Sequence, residues 1–501
     1  MKHSSIGGIA AALAASLAGI AFAYEGPTFS ATVWRGETAY IRVPDNLAGE
    51  MLPYGKPEGA VKVSFAYCDD VPYAPNVGGE TRHARKDVLR EIEPGAAARR
   101  APTFCRVAVD ESAKSGDYEF GPMKLRVIDR VLPQPKDWKY FLDLWQHPWA
   151  VARYFGVEPF SREHYERMVP VWRALAQSGC KALTVTLLDL PWNHQCYDAY
   201  HSMVGRVKKA DGTWKFDYTL FDRYVAFGRR CGIGPDIACY TMCPWGYVVR
   251  WQDEKGNVCR ATAKPGTPEF DDYWGAFLVD FAKHLKEKGW FDDAYIAMDE
   301  RSPEDVKLIA AFVQAKAPGM KIAMAGNRSP SSFKGIVIDN YSQSLSHMAD
   351  DLIPELASRR EKGYKTTLYV CCSPGYPNTF MKSGDDEGFW IGAYPALAGF
   401  DGFLRWAANS WPMNPYEDAT FGNWLPGDAY LVYPNGEMSA RLVALRSGIV
   451  AAEKLRILRE AGAVREKEVA DLAAKYGYKA ALGHKTRMDA FRRDLERLVS
   501  R

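Results

Sequence analysis

From about residue 138 the chain repeats one unit, a short apolar β-rich run followed by a helical pattern. Eight candidate strands can be read, at 140–145, 182–188, 236–241, 294–298, 321–325, 335–339, 366–371 and 402–406. Helix-period stretches at 162–177, 220–230, 268–288, 303–317, 349–362 and 388–397 separate most of them, and only the fifth and sixth runs are joined by a short loop. Such alternation sandwiches a parallel sheet between helices, and eight units over about 300 residues predict a (β/α)8 TIM-type barrel. An open doubly wound sheet is the architectural alternative.

The flanks read differently. Residues 24–131 carry runs of alternating apolar and polar residues, such as Val61-Lys62-Val63-Ser64-Phe65 and Met123-Lys124-Leu125-Arg126-Val127, separated by Gly, Pro and Asp. They predict an N-terminal β-sandwich domain. A Pro-rich linker (131–137) leads to a barrel over 138–450. The last stretch, 451–501, is a charged helical extension. Residues 1–23 read as an export signal, with Lys2 and His3 before an apolar run that ends in Ala21-Phe22-Ala23. Cleavage after Ala23 would leave a periplasmic or secreted protein. No later segment is long and apolar enough to span a bilayer.

The formal charge is +3, from 64 basic and 61 acidic residues mixed along the chain, so no basic face points to nucleic acid. Ten cysteines in an exported chain permit disulfides, with Cys68–Cys105 the expected pair. Cys239, Cys243 and the adjacent Cys371 and Cys372 read as buried thiols, since no His pattern completes a metal site. No metal or cofactor is expected.

The chemistry is concentrated at the end of the fourth strand. Ala294-Tyr295-Ile296-Ala297-Met298 runs into Asp299-Glu300, and Ser302-Pro303 then opens a helix as N-cap and first residue. Two adjacent carboxylates thus fall at the carboxyl end of a strand, where barrels keep their active sites. Other strand ends carry aromatic and polar groups: Trp145 and His147, Asp189, Trp192 and Asn193, Trp245, Asn327, Asp339 and Tyr341, and Arg405, Trp406 and Asn409. Of the 15 tryptophans, four recur at these ends. Indole rings stack on the CH faces of a sugar while neighbouring polar groups take its hydroxyls.

A common retaining glycosidase needs two carboxylates about 5 Å apart, one as acid/base and one as nucleophile. In barrel glycosidases the fourth and seventh strands commonly supply them. Here the seventh strand ends Tyr369-Val370-Cys371-Cys372-Ser373-Pro374, without a carboxylate. That points to the substrate-assisted variant, in which the sugar's own 2-acetamido oxygen attacks the anomeric carbon. One carboxylate of an adjacent pair then steadies the acetamide and the other protonates the leaving oxygen. Asp189 and Asp339 are the rival second carboxylates for an ordinary mechanism.

The chain resembles glycoside hydrolase family 123. The matching stretches are Asp143-Leu144-Trp145-Gln146-His147-Pro148, Pro191-Trp192-Asn193, Lys288-Gly289-Trp290-Phe291 and Ala297-Met298-Asp299-Glu300-Arg301, then Tyr394, the run from Gly402 to Trp411, Asn414-Pro415, and Gly427 to Pro434. The resemblance implies an exo-acting retaining β-N-acetylgalactosaminidase, whose partner is a glycan ending in N-acetylhexosamine. It places the acetamide-orienting role on Asp299 and the acid/base role on Glu300. By analogy with acetamido-sugar hydrolases, Tyr341 is the candidate to help hold the acetamide and Trp406 the floor under the sugar ring. His147, Trp192, Asn193, Asn327, Arg405 and Asn409 are further substrate-binding candidates from their positions. A glycosidase of another specificity with a conventional nucleophile, or a non-catalytic sugar-binding barrel, is the competing expectation.

Overall fold

A computed structural model describes residues 24–75, 82–93 and 101–501. The expected export signal lies outside the described residues. Among the described residues no helix is long and apolar enough to cross a membrane.

Two small sheets form the N-terminal part. In one, Phe29–Arg35 pairs in parallel with Met123–Val131, which pairs antiparallel with Gly116–Phe120. The other is antiparallel, in the order Thr38–Arg42, Phe104–Val109, Val61–Tyr73, His83–Ile92. Val33, Val63, Phe65, Cys105, Val107 and Leu125 fill the space between them, as their alternation along each strand requires. The opposite face of the second sheet, with Ala66, Cys68, Val71 and Phe104, joins the core of the barrel. The expected Cys68–Cys105 bond is therefore corrected: both thiols are free. Cys105 lies opposite Phe65, three residues from Cys68, and with a side-chain period of two the pair faces opposite sides of the sheet.

The barrel strands are β1 (Phe141–Leu144), β2 (Ala182–Thr186), β3 (Asp236–Tyr240), β4 (Ala294–Met298), β5 (Lys321–Gly326), β6 (Asn340–Ser344), β7 (Lys365–Val370) and β8 (Gly402–Arg405). Adjacent members pair in parallel from β2 round to β8 and on to β1. The β1–β2 seam closes through the Lys181 amide on the Leu142 carbonyl at 2.8 Å and through Gln146. The Gln146 side chain accepts from the Thr184 amide at 2.9 Å, and the Gln146 backbone amide donates to the Thr184 hydroxyl at 3.2 Å.

The sixth strand differs from the sequence reading. The apolar run 335–339 is the approach to β6, and the strand itself is the polar Asn340-Tyr341-Ser342-Gln343-Ser344, buried throughout. Hydropathy points to the wrong segment because this strand spends its polar groups inside the barrel, where the Ser342 and Thr367 hydroxyls bond at 2.6 Å. The loops after β2 and β3 also build an unforeseen four-stranded sheet from Trp214–Asp217, Gly205–Lys208, Val248–Asp253 and Val258–Thr262.

The helix Ala440–Glu460 runs across residue 450 and ties the parts together. It packs on helix Asp385–Ala398 at backbone distance: a Cβ at Gly392 would lie 2.2 Å from the Leu445 carbonyl oxygen, and one at Gly448 2.1 Å from that of Phe389. Toward the N-terminal sheets, Arg441 meets Asp87 at 3.0 Å and Lys454 meets Glu37 at 2.7 Å, all four buried. Helices Glu466–Lys475, Tyr478–Leu482 and Met488–Val499 follow, and the Val499 carbonyl accepts from the Trp34 indole at 3.0 Å.

Candidate active site

Asp299 and Glu300 leave β4 at its carboxyl end, and helix Pro303–Lys316 starts behind them, capped by Ser302 through the Asp305 amide at 3.1 Å. This short strand-to-helix turn fixes the backbone of both acids. Each acid is half-buried but held by a different set of neighbours.

Asp299 receives the indole N–H of Trp245, from the loop after β3, at 3.2 Å. Burial, above all, pushes its carboxyl up to about 6; the Glu300 charge adds to this, while the Glu300 amide, Arg301 and Trp245 pull it down. Arg301 lies over the Trp245 ring at 5.7 Å, fixing the plane of that donor. Glu300 is gripped on both oxygens. Asn327, at the end of β5, donates from Nδ2 to Oε2 at 2.8 Å, and the Tyr369 hydroxyl on β7 donates to Oε1. Tyr369 itself stays protonated, since burial and the Glu300 charge hold its phenol well above the ordinary range.

Tyr341 is not part of this grip. It is the second residue of β6, fully buried, with its hydroxyl on the Arg328 carbonyl and its ring 5.9 Å from Phe333. Gly326 makes room for it: a Cβ there would lie 2.1 Å from the Tyr341 hydroxyl. Tyr341 thus supports the β5 loop that carries Asn327 from behind. Tyr369 is the residue the sequence reading missed. A tyrosine on an apolar strand reads as core, and only its place on the inward face of β7 marks it.

The other candidates fall into supporting roles. His147 is fully buried, stacked on Tyr200 at 3.7 Å and bonded to the Asp198 carbonyl at 3.0 Å; burial pushes its imidazole down to about 3. Its backbone amide donates to the Asn409 side chain at 2.9 Å, and the Asn409 amide returns a bond to the His147 carbonyl at 3.0 Å. That reciprocal pair locks the β1 loop to the β8 loop. Trp192 is buried between Trp145 and Tyr240, at ring distances of 4.9 and 5.1 Å. Asn193 next to it is exposed, in the left-handed region at φ 53°. Arg405 is fully buried and donates to the carbonyls of Val370 and Asp428, both at 2.9 Å, and to the Asp428 carboxylate. Trp406 donates to the same carboxylate at 3.0 Å and meets Trp424 edge-on at 5.7 Å.

The rival carboxylates are placed clearly. Asp339 precedes β6 and accepts from the Ile322 amide at 2.9 Å, one residue into β5. It lies at the amino end of the barrel, opposite the acid pair, because the strand begins after it. Asp189 accepts from the Ser202 amide at 2.8 Å and lies 3.7 Å from the His201 ring. Burial would raise its carboxyl, yet His201 and Ser202 hold it below the usual range.

A (β/α)8 barrel with an adjacent, differently held acid pair at the carboxyl end of β4 fits a glycoside hydrolase. The model of the glycoside hydrolase 123 catalytic domain matches residues 145–458, and the chain belongs to that family. A solved family 123 glycoside hydrolase from Clostridium perfringens is similar over 94% of this chain and 93% of its own, with TM-score 0.80 and 22% identity. A family 39 glycoside hydrolase from Bacteroides cellulosilyticus WH2 (TM-score 0.37, 11% identity, covering 85% of this chain and 82% of its own) is a far more distant likeness. No curated protein sequence matches the chain.

Proposed function

We propose that the protein is an exo-acting retaining β-N-acetylgalactosaminidase that works by substrate assistance. The observation that carries this reading is the β7 end. Where a barrel glycosidase commonly keeps its nucleophile, this chain has Tyr369 bonded to the acid Glu300, and Asp339 stands at the other end of the barrel. The 2-acetamido oxygen of the substrate is then the nucleophile. Asp299, steadied by Trp245, accepts the acetamide N–H and offsets the oxazolinium charge. Glu300 gives its proton to the leaving oxygen and later takes one from the water that opens the oxazoline. Asn327 and Tyr369 keep its carboxyl plane fixed through both steps.

The substrate on this reading is a glycan with a terminal β-linked N-acetylhexosamine. The galacto assignment follows the family resemblance, and the Clostridium perfringens relative is described in terms of glycolipid glycan hydrolysis. Export after cleavage near Ala23 belongs to the same proposal, and N-terminal sequencing of the mature protein tests it.

The test of function is hydrolysis of 4-nitrophenyl β-N-acetylgalactosaminide, β-N-acetylglucosaminide and plain β-galactoside by the wild type and Glu300→Gln. The expected result is release from the first alone, lost in the variant. Release from plain galactoside overturns substrate assistance, because that sugar has no acetamide to attack.

A further inference from the structure

Two thiols stand side by side where β7 runs out into the catalytic face. Cys371 and Cys372 directly follow Val370, with their sulfurs 3.8 Å apart. Cys372 is exposed and Cys371 half-buried, which corrects the expectation of two core cysteines. The strand has ended: Tyr369 is the last residue paired with both neighbouring strands, Val370 pairs with Arg405 alone, and neither cysteine belongs to the ladder. Tyr369, the residue that touches Glu300, lies two positions before Cys371, and the Glu300 charge acts on Cys372. The segment is pinned by its backbone: the Cys371 carbonyl accepts from Asn378 at 3.0 Å and from Arg405 at 3.3 Å.

Six of the other cysteines, Cys68, Cys105, Cys180, Cys196, Cys239 and Cys243, are buried, and burial pushes their thiols up and makes them inert. Within the adjacent pair the contact with Cys371 holds the Cys372 thiol below its ordinary value. It is also the exposed sulfur of the two, the one that an oxidant reaches first.

We propose that Cys371–Cys372 is a thiol-modification site at the catalytic mouth, which closes into a vicinal disulfide when it meets a small-molecule disulfide such as oxidised glutathione. The Cys372 thiolate attacks one sulfur of the oxidant, forms a mixed disulfide and releases one thiolate. The Cys371 thiol then attacks the Cys372 sulfur, loses its proton and releases the second thiol. The two protein thiols are oxidised by two electrons, and one oxidant disulfide is reduced to two thiols. Neighbouring Cα atoms are only about 3.8 Å apart, below the usual range of about 4.4–6.8 Å across a disulfide. Such a ring is strained and readily reduced, which makes it a reversible modification rather than a staple. Closure draws the two side chains together beside Tyr369 and disturbs its hold on Glu300.

The experiment incubates the purified full-length protein with oxidised glutathione, alkylates it in denaturant and weighs the peptide spanning both cysteines. The expected peptide is lighter by two hydrogens and carries neither alkyl group nor glutathione. In Cys371→Ser and Cys372→Ser the remaining thiol stays alkylatable or carries one glutathione. Full alkylation of both thiols in the wild type, under conditions where a reduced dithiol standard is oxidised, overturns the proposal. The mass readout needs no substrate, so it stands apart from the assignment of function. Turnover of whichever aryl glycoside the wild type hydrolyses is expected to fall several-fold on closure and to return with dithiothreitol. Unchanged turnover in the closed form overturns the link to the catalytic mouth.

Discussion

Asn327 reaches from the end of β5 to Glu300 at the end of β4, Nδ2 to Oε2 at 2.8 Å, and leaves the other carboxyl oxygen to Tyr369. Two donors from two different strands fix the plane of the carboxyl that, on the proposed mechanism, hands over a proton. Their removal is expected to lower kcat more than it changes KM, because the acid is misaimed but the sugar pocket is intact. Asn327→Ala and Tyr369→Phe should each lose roughly 10- to 100-fold in kcat, a part of the 100- to 10,000-fold that general acid–base catalysis supplies. Steady-state kinetics on an aryl N-acetylhexosaminide checks this. A Tyr369→Phe enzyme with full turnover would show that the hydroxyl does not aim the acid.

On the proposed mechanism Asp299 is expected to set the acid limit of activity. Burial pushes its carboxyl up to about 6, and only the ionised form can offset oxazolinium charge. Activity is expected to fall as pH drops through 6, with Asp299→Asn losing about 100- to 1,000-fold in kcat at neutral pH, as for other removed charge-stabilising groups. Trp245 pulls the Asp299 carboxyl down through its N–H, so Trp245→Phe should move the acid limb to higher pH. A pH–rate profile of the two enzymes decides it, and a limb that stays in place excludes Trp245 as the tuning donor.

The parts of this molecule that were legible in the sequence are those where local chemistry and burial agree. Ser302-Pro303 after an apolar strand placed Asp299 and Glu300 at a strand-to-helix turn, and seven of the eight barrel strands are apolar runs where hydropathy points. β6 broke the rule because Asn340, Ser342, Gln343 and Ser344 are buried polar residues bonded inside the barrel. That one shift moved Tyr341 from a strand end to the strand interior and put Asp339, a rival second carboxylate, at the wrong end of the barrel. His147 and Asn409 lie on loops at the carboxyl end of the barrel and Arg405 ends β8, but nothing in one sequence tells a side chain aimed at the pocket from one that locks two loops together. Tyr369 was hidden for the converse reason, since it looks like core and its hydroxyl partner is 69 residues away.

Asp143 offers a stability test remote from catalysis. It is buried on β1 with Oδ1 unbonded, lining a cavity of about 10 Å³ with Asp236, Tyr295 and Asn340. Burial, then the Asp236 charge, pushes its carboxyl up to about 7, against the opposite pull of Trp145 and Lys365. For an acid raised in the folded state, the protonated form is the one folding favours. The penalty is absent below about pH 3.8, grows as pH rises and is complete above 7. Asp143→Asn should therefore stabilise the protein above neutrality, by at most about 4 kcal/mol at 1.36 kcal/mol per pH unit, and have little effect near pH 4. Urea denaturation at several pH values measures it, and a pH-independent difference would exclude a titrating Asp143.

Arg441 and Asp87 behave in the opposite sense. They meet at 3.0 Å with both side chains almost wholly buried, and Arg441 also donates to the carbonyls of Thr379, Gly427 and Tyr430. Burial works against the Asp87 charge, yet Arg441 outweighs it and holds the carboxyl below the usual range, with help from Arg85 and Tyr433. The pair joins the helix that completes the barrel to the N-terminal sheet. Arg441→Met strands a buried carboxylate and three carbonyls and should cost roughly 3–5 kcal/mol. Asp87→Asn leaves the guanidinium its carbonyl partners and should cost less. Because one interaction is lost in both, the double variant should be more stable than the sum of the two losses implies. A lowered acid contributes stability that is present above its ordinary pKa and disappears as pH falls through the folded value. The gap between wild type and Asp87→Asn should accordingly shrink in strong acid. Tryptophan fluorescence in urea follows all four proteins, and strictly additive losses at neutral pH would show that the two residues are not energetically coupled.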